Sequence, residues 1–449
     1  MSFTEEPKST PVERVVQPVR DFANEAASGG IVLLACATVA MALVNSPLSA
    51  EYLAIWDEKL TVTLGGAGVA KSVHFWINDG LMAVFFFVVG LEIKREVLVG
   101  ELSSPRQAIL PSVAAVGGMA VPAVLYYAFN TSGLEAAGWG IPMATDIAFA
   151  LGVLALFGKH VPDSLKIFLT ALAIFDDIGA VLVIAFFYTD HLTLIALAAS
   201  GALLGTTAAA NWLGVRSMLV YAVLGVALWI AMLNSGFHAT VAGILLALAI
   251  PARARINSDS FVARSQSLVN EFKSVSHPDV DALCNDRQQR VLLALDRETE
   301  RAGTPLQRLE HALNPWVALF VMPMFALANA GVALDGVTAQ TVTHPVTLGI
   351  VAGLVLGKPL GIMGCVWVAV KFGLADLPEN VNWKHIGAAG CLGGIGFTMA
   401  LFIGGLAFDG GVLLEAAKIG ILTGSLLAGV FGAGLLWVAQ NGEEATPQS

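Results

Sequence analysis

About twelve stretches of this chain are each apolar for roughly the 20 residues that a helix needs to cross a bilayer. They fall near 29–44, 78–99, 107–129, 141–157, 165–188, 192–213, 217–233, 241–252, 315–332, 348–372, 386–408 and 419–438. Runs of that length in that number leave little freedom. The chain reads as an all-α integral membrane protein of about twelve transmembrane helices.

Composition agrees. Charged residues make up 13% of the chain, about half the ~25% of an ordinary soluble domain. A soluble enzyme and a disordered chain are both excluded on that ground. The formal net charge of −10 argues against nucleic acid as a partner, because phosphate backbones select basic surfaces. Cys36, Cys284, Cys365 and Cys391 are widely spaced and show no CxxC or Cys/His ligand pattern, so neither a zinc site nor a disulfide framework is indicated. No cofactor is expected. The first 20 residues lack an apolar core, which predicts no cleavable signal peptide and a cytoplasmic N-terminus.

Lys and Arg fall overwhelmingly in alternate loops. The opposite side holds only Lys59, Lys71 and Lys418, and Lys358 lies inside a span. The positive-inside rule then puts both termini in the cytoplasm of a multi-pass protein. The expected organisation is a cytoplasmic tail over 1–28, a membrane domain over 29–439 and a second tail over 440–449. Within the membrane domain, 253–313 reads as a cytoplasmic loop, a solvated linker in which 291–301 has amphipathic helical character. Between the first two spans, 61–64 and 72–75 are candidates for a small hairpin.

Charges that stay inside the spans narrow the function. A charge at mid-bilayer costs about 2.5–3.5 kcal/mol on insertion scales. Even so, the fifth span carries Ala173-Ile-Phe-Asp176-Asp177-Ile-Gly-Ala180, the fourth Ala144-Thr145-Asp146-Ile147, and the tenth Gly357-Lys358-Pro359-Leu360-Gly361. An interhelical ion pair that merely holds a bundle together accounts for one acid and one base. It does not account for three carboxylates facing one ammonium, since two acids then remain unpaired in low dielectric. Desolvation and mutual repulsion disfavour a full set of negative charges, so at least one carboxylate is expected to bind protons near neutral pH. Oxygen ligands without Cys/His clustering favour an alkali cation over a transition metal. A cage that holds either protons or a small hard cation is a cation/proton exchange site. Adjacent Asp176 and Asp177 project about 100° apart on a helix, so one acid is expected to face the cation path while the other turns to a partner. Lys358 is the cation available inside the spans for that role.

Two spans look interrupted. Span four contains Trp139-Gly-Ile-Pro142-Met-Ala-Thr-Asp146, and span eleven contains Cys391-Leu-Gly-Gly-Ile-Gly396-Phe-Thr398-Met. Pro and clustered Gly break helices near mid-membrane, and these positions correspond if spans three to five and ten to twelve are paired repeats. The ends of broken helices need compensating charges, for which Asp146 and Lys358 are available. An intramembrane aspartyl protease would carry its acids on separate helices with a Gly-x-Gly-Asp motif, which this sequence lacks. A cation channel fits poorly with paired helix breaks.

At these residues the sequence resembles the NhaA family of sodium/proton antiporters. The likeness runs over about 28–439. It includes Trp76-Ile-Asn-Asp-Gly80, Val89-Gly-Leu-Glu-Ile-Lys-Arg-Glu96, Ala144-Thr-Asp-Ile-Ala-Phe-Ala-Leu-Gly152 and Leu172-Ala-Ile-Phe-Asp-Asp-Ile-Gly179. Further along come Ser235-Gly-Phe-His-Ala-Thr240, Arg308-Leu-Glu-His311, Gly357-Lys-Pro-Leu-Gly361 and Gly394-Ile-Gly-Phe-Thr-Met399. The resemblance implies inverted-topology repeats with two broken, crossing helices, an arrangement of which this family is itself a standing example. It also implies an inner-membrane protein that expels Na⁺ or Li⁺ and imports protons electrogenically, with pH regulation, by alternating access. The moving core would be about 107–188 and 348–438, with the remainder a scaffold and dimer part.

Residue by residue, the likeness makes Asp177 the principal ion-binding and proton-carrying carboxylate and Asp176 its neighbour paired with Lys358. Thr145 and Asp146 sit at the helix break, with Asp177, Asp176 and Thr145 as ligands of the transported Na⁺. Asp79, Glu92, Glu96, Glu310 and His311 match the cation funnel and pH-sensing region, and His238 a histidine of pH response and dimer contacts. A homodimer is implied. The chain departs from the family pattern at three places. Asn314 stands where a second histidine is usual, Ala400 stands where a serine is frequent, and the 253–313 loop is long.

Overall fold

The computed structural model describes residues 28–64, 67–158, 161–189, 192–252, 257–275 and 286–444. The predicted tails over 1–28 and 440–449 lie largely outside the described residues. What is described of the second tail continues the last helix as far as Glu444.

Each of the twelve apolar stretches is occupied by helix. The chain opens with α1 (Ser28–Val44), which turns by 115° into α2 (Ser49–Asp57). An antiparallel hairpin follows, β1 (Lys59–Leu64) with β2 (Ala67–Ser72), in the register Lys59 to Ser72. The first arm matches the expected position. The second does not: 67–72 is the strand and Val73–Phe75 already turns as helix, because the Ser72 hydroxyl accepts the Phe75 N–H and caps it. A π-helical turn, Trp76–Leu81, then leads into α3 (Met82–Val99).

The first repeat consists of α4 (Pro105–Phe129), a 3-10 helix over Leu134–Met143, α5 (Ile147–Leu156) and α6 (Asp163–Phe187). Next come α7 (Leu194–Trp212), α8 (Met218–Leu233) and α9 (Val241–Ala249). Two polar helices, α10 (Ser258–Val275) and α11 (Asp286–Ala302), make up the described part of the long loop. The amphipathic 291–301 segment is thus part of a longer helix. The loop also ends earlier than expected: Thr304 caps α12 (Pro305–Trp316), which runs through a π-helical turn (Val317–Val321) into α13 (Met322–Asn329). The helix that leads into the ninth apolar stretch therefore begins at Pro305, inside the segment 253–313. The Pro at the first helical position and the Thr304 cap give the physical reason.

The second repeat is α14 (Pro345–Ala352), a π-helical turn (Gly353–Gly357), α15 (Lys358–Lys371), α16 (Trp383–Gly393), α17 (Phe397–Ala407) and α18 (Gly411–Glu444). By length and apolar composition, six helices among the described residues suffice to cross a membrane, and nine if each bent pair counts once. The others, such as α8 and α9, are shorter than a full span. Two bent pairs are the interrupted spans: the 3-10 helix and α5 meet at 40°, and α16 and α17 at 43°.

The two repeats are locked together where α4 crosses α15. A Cβ at Gly117 would collide with the Gly361 carbonyl, and one at Gly361 with the Gly117 carbonyl. The missing side chains let two backbones touch, which holds helices together in lipid, where the hydrophobic effect between helices is absent.

Candidate functional site at the helix crossing

The breaks in the two interrupted helices meet. The Asp146 N–H donates to the Ile395 carbonyl at 2.6 Å. Asp146 is the N-cap of α5, its Oδ1 accepting the Phe149 N–H at 3.1 Å. Its Oδ2 accepts both the Thr398 N–H (3.1 Å) and the Thr398 hydroxyl (2.5 Å), in the first turn of α17. One carboxylate therefore serves the positive ends of two half-helices, where orphaned N–H groups and the aligned peptide dipoles both favour an anion. The Phe397 N–H is met by the Ser425 hydroxyl of α18 at 3.1 Å.

At the C-terminal end of α16 the donors reverse. Thr145 Oγ1 lies 2.8 Å from the Gly393 carbonyl and 2.5 Å from Asp176 Oδ2, while accepting from Lys358 Nζ at 2.8 Å. Lys358 Nζ also forms an ion pair with Asp176 Oδ2. Lys358 is 0% and Asp176 1% exposed. Asp176 Oδ1 is buried with no hydrogen-bond partner among the described residues. Asp146 thus complements the helix ends directly, whereas Lys358 acts beside the α16 terminus through Thr145 while its charge is shared with Asp176.

Asp177 is different. It is buried, yet among the described residues its carboxylate accepts no hydrogen bond. The charges that act on it are those of Asp176, Glu92, Asp146 and Lys358. Adjacent acids on α6 are therefore split: Asp176 is engaged by Lys358 and Thr145, and Asp177 is left open to a ligand. Among the described residues no group of three or more His, Cys, Asp or Glu is gathered as a resident metal site would require.

A second group lies toward the C-terminal end of α3. Arg95 sits 2.9 Å from Glu96, 3.2 Å from Glu310 and 3.9 Å from Glu92. Glu310 is buried, and its Oε2 has no hydrogen-bond partner among the described residues. The structure thus brings Glu92, Glu96 and Glu310 around a guanidinium. His311 is exposed on the next position of α12. Asp79 stands in the π-helical turn, its backbone carbonyl accepting from the Trp229 indole at 3.2 Å. His238 lies on the turn before α9.

Sequence reasoning did not single out Arg95, Thr398 or Ser425. Arg95 sits within a run of charges and Thr398 beside a break, so each had a signal. Ser425 has only the weak one of a hydroxyl in an apolar helix.

The family model for Na⁺/H⁺ antiporter 1 matches residues 20–436. The chain belongs to that family. It is 49% identical over 434 residues to the Na(+)/H(+) antiporter NhaA of Oleidesulfovibrio alaskensis, covering 97% of this chain and 96% of that one. The antiporter NhaA 2 of Syntrophotalea carbinolica is 50% identical over 417 residues, with 93% and 95% covered. That of Koribacter versatilis is 48% identical over 431 residues, with 96% and 93% covered. Membership makes this a multi-pass membrane transporter family member, in keeping with its apolar helices.

Proposed function

We propose that this chain is an electrogenic, pH-regulated Na⁺/H⁺ antiporter that also accepts Li⁺, working by alternating access in the inner membrane with both termini cytoplasmic. The observation that carries the reading is the split pair on α6: Asp177 open, Asp176 engaged by Lys358 and Thr145, at the crossing of two broken helices. From the cytoplasm Na⁺ displaces two protons, one held at Asp177 and one at the Asp176/Lys358 pair, and draws Asp176 away from Lys358. Thr145 supplies a neutral oxygen. The first and second repeats then move as a core against the scaffold, the cation leaves outward, and two protons from outside reload Asp177 and the re-formed Asp176/Lys358 pair. More protons enter than cations leave, so the membrane potential drives export.

Glu92, Glu96, Glu310, His311, Asp79 and His238 form the funnel and pH-response region in this reading. The protein works as a homodimer through the β1–β2 hairpin. The test is Na⁺-dependent collapse of ΔpH in everted vesicles. Asp177→Asn is expected to abolish it, and normal exchange in that variant would remove the assignment.

A further inference from the structure

Lys94 stands between Glu92 and Arg95 on α3 but takes no part in the ion pairs around Arg95. Its Nζ reaches across to α9 instead, donating to the Leu248 carbonyl at 2.6 Å and to the Ile250 carbonyl at 2.5 Å. The last carbonyls of a helix have no partner within it, and a cation there also meets the negative end of the helix dipole. Lys94 is not needed to bring α3 and α9 together. Their backbones already touch at two points, since a Cβ at Gly90 would collide with Ala247 and one at Gly243 with the Ala83 carbonyl. What Lys94 fixes is the turn by which the chain leaves α9.

That turn is the seat of α12. Ile250 and Leu306 are both buried, and the Leu306 N–H, in the first turn of α12, donates to the Pro251 carbonyl at 3.2 Å. With Leu91 of α3, Tyr221 of α8 and Ala247 of α9 the two side chains form a small apolar cluster separate from the main core. Leu306 and Glu310 are four residues apart on α12 and so share a face. The seat of the first therefore sets the place of the second. Glu310 itself meets Arg95 without a directional bond: its Oε1 lies 3.2 Å from Arg95 Nε, which makes no aligned hydrogen bond among the described residues. A contact of that kind is placed by the helices that carry it. The path thus closes on itself, from Lys94 through the end of α9 and the start of α12 to Glu310, and back to Arg95 beside Lys94.

We propose that Lys94 is a positioning residue, which holds Glu310 against Arg95 through the end of α9 and so sets the pH at which transport switches on. Its effect on pH rests on the pH-response reading of Glu92, Glu96, Glu310 and His311 given above. The charged and titratable groups that face Glu310 are Arg95 and Glu96 of α3 and its own neighbour His311, with Glu92 beside Arg95. Lys94 turns the other way, to α9. An opposite charge nearby favours the ionised carboxylate. With Lys94 neutral, the last turn of α9 loosens, Glu310 draws off from Arg95, and its carboxylate takes up a proton at higher pH. The acid limb of transport then moves in the alkaline direction.

The test uses the full-length protein in proteoliposomes, its native cysteines replaced, with spin labels at Val97→Cys on α3 and Ala312→Cys on α12, both exposed positions. Electron–electron resonance reads the distance between the two helices, and Na⁺-dependent dissipation of ΔpH reads the pH profile. Lys94→Gln is expected to lengthen that distance and to move the acid limb about one unit toward alkaline pH, with Lys94→Arg restoring both. In a Glu310→Gln background, Lys94→Gln should shift the limb no further, because the group it positions is gone. An unchanged distance in Lys94→Gln overturns the proposal, as does a further shift of the limb on top of Glu310→Gln. A lengthened distance with an unmoved limb supports the positioning and removes Glu310 from the pH response instead. Where Lys94→Gln does not fold, Leu306→Ala weakens the same path at the seat of α12 and should lengthen the distance and move the limb alike; no change there overturns the proposal equally.

Discussion

Lys358 and Asp176 stabilise the crossing only as a pair. Each is withdrawn from water, so deleting one leaves an uncompensated charge at an expected cost of about 3–5 kcal/mol. Lys358→Met should therefore lower the apparent melting temperature of the detergent-solubilised protein sharply. The double variant Lys358→Met/Asp176→Asn should recover much of that loss, because both charges go together. Equal melting temperatures for single and double variants would show that the two residues act independently. Asp177 carries a different expectation. If one proton and Na⁺ compete for its carboxylate, the apparent KM for Na⁺ rises about tenfold for each unit of falling cytoplasmic pH on the acid limb. A flat KM across pH 6–8 with a falling maximal rate would place the proton elsewhere.

At the scale of elements, the crossing of α4 and α15 offers the sharpest test. Gly117→Val puts a branched side chain where the Gly361 carbonyl already sits. Overpacking of this kind costs about 1–3 kcal/mol or more, so the variant should express poorly and melt early. At the open Gly201 of α7 an added Cβ would meet nothing within 4 Å, so a substitution there should be tolerated under the same assay.

Helix positions were readable because apolar length is a local property. The breaks at Asp146 and Gly396 were readable because Pro142 and clustered Gly interrupt the hydrogen-bond ladder. The 3-10 character of Leu134–Met143 and the sharing of Asp146 between α5 and α17 were not, since both depend on segments about 250 residues apart coming into contact. The hairpin slipped for a similar reason: alternation marked both arms weakly, and the Ser72 cap that ends β2 shows only once the helix after it exists. The split between Asp176 and Asp177 was visible as a 100° geometric necessity, but which acid faced Lys358 was set by packing.

For the whole molecule, the asymmetry of Lys and Arg predicts sidedness. A single cysteine at Lys71, in β2 of the hairpin, should react with a membrane-impermeant maleimide added to intact spheroplasts. A cysteine at Arg287, in α11, should react only in everted vesicles. Reversed labelling would invert the topology and with it the direction of transport. The native Cys36, Cys284, Cys365 and Cys391 are replaced in that background.

Asp146 has a mechanical consequence. Its two oxygens are pinned to Phe149 at the head of α5 and to Thr398 at the head of α17, and its own N–H is pinned to Ile395. Two levers on a common pin lose a degree of freedom: neither half-helix swings without dragging the other or breaking bonds in water-poor surroundings. The junction therefore travels as one part, and its motion is carried by the joints at its borders rather than by flexing at its centre.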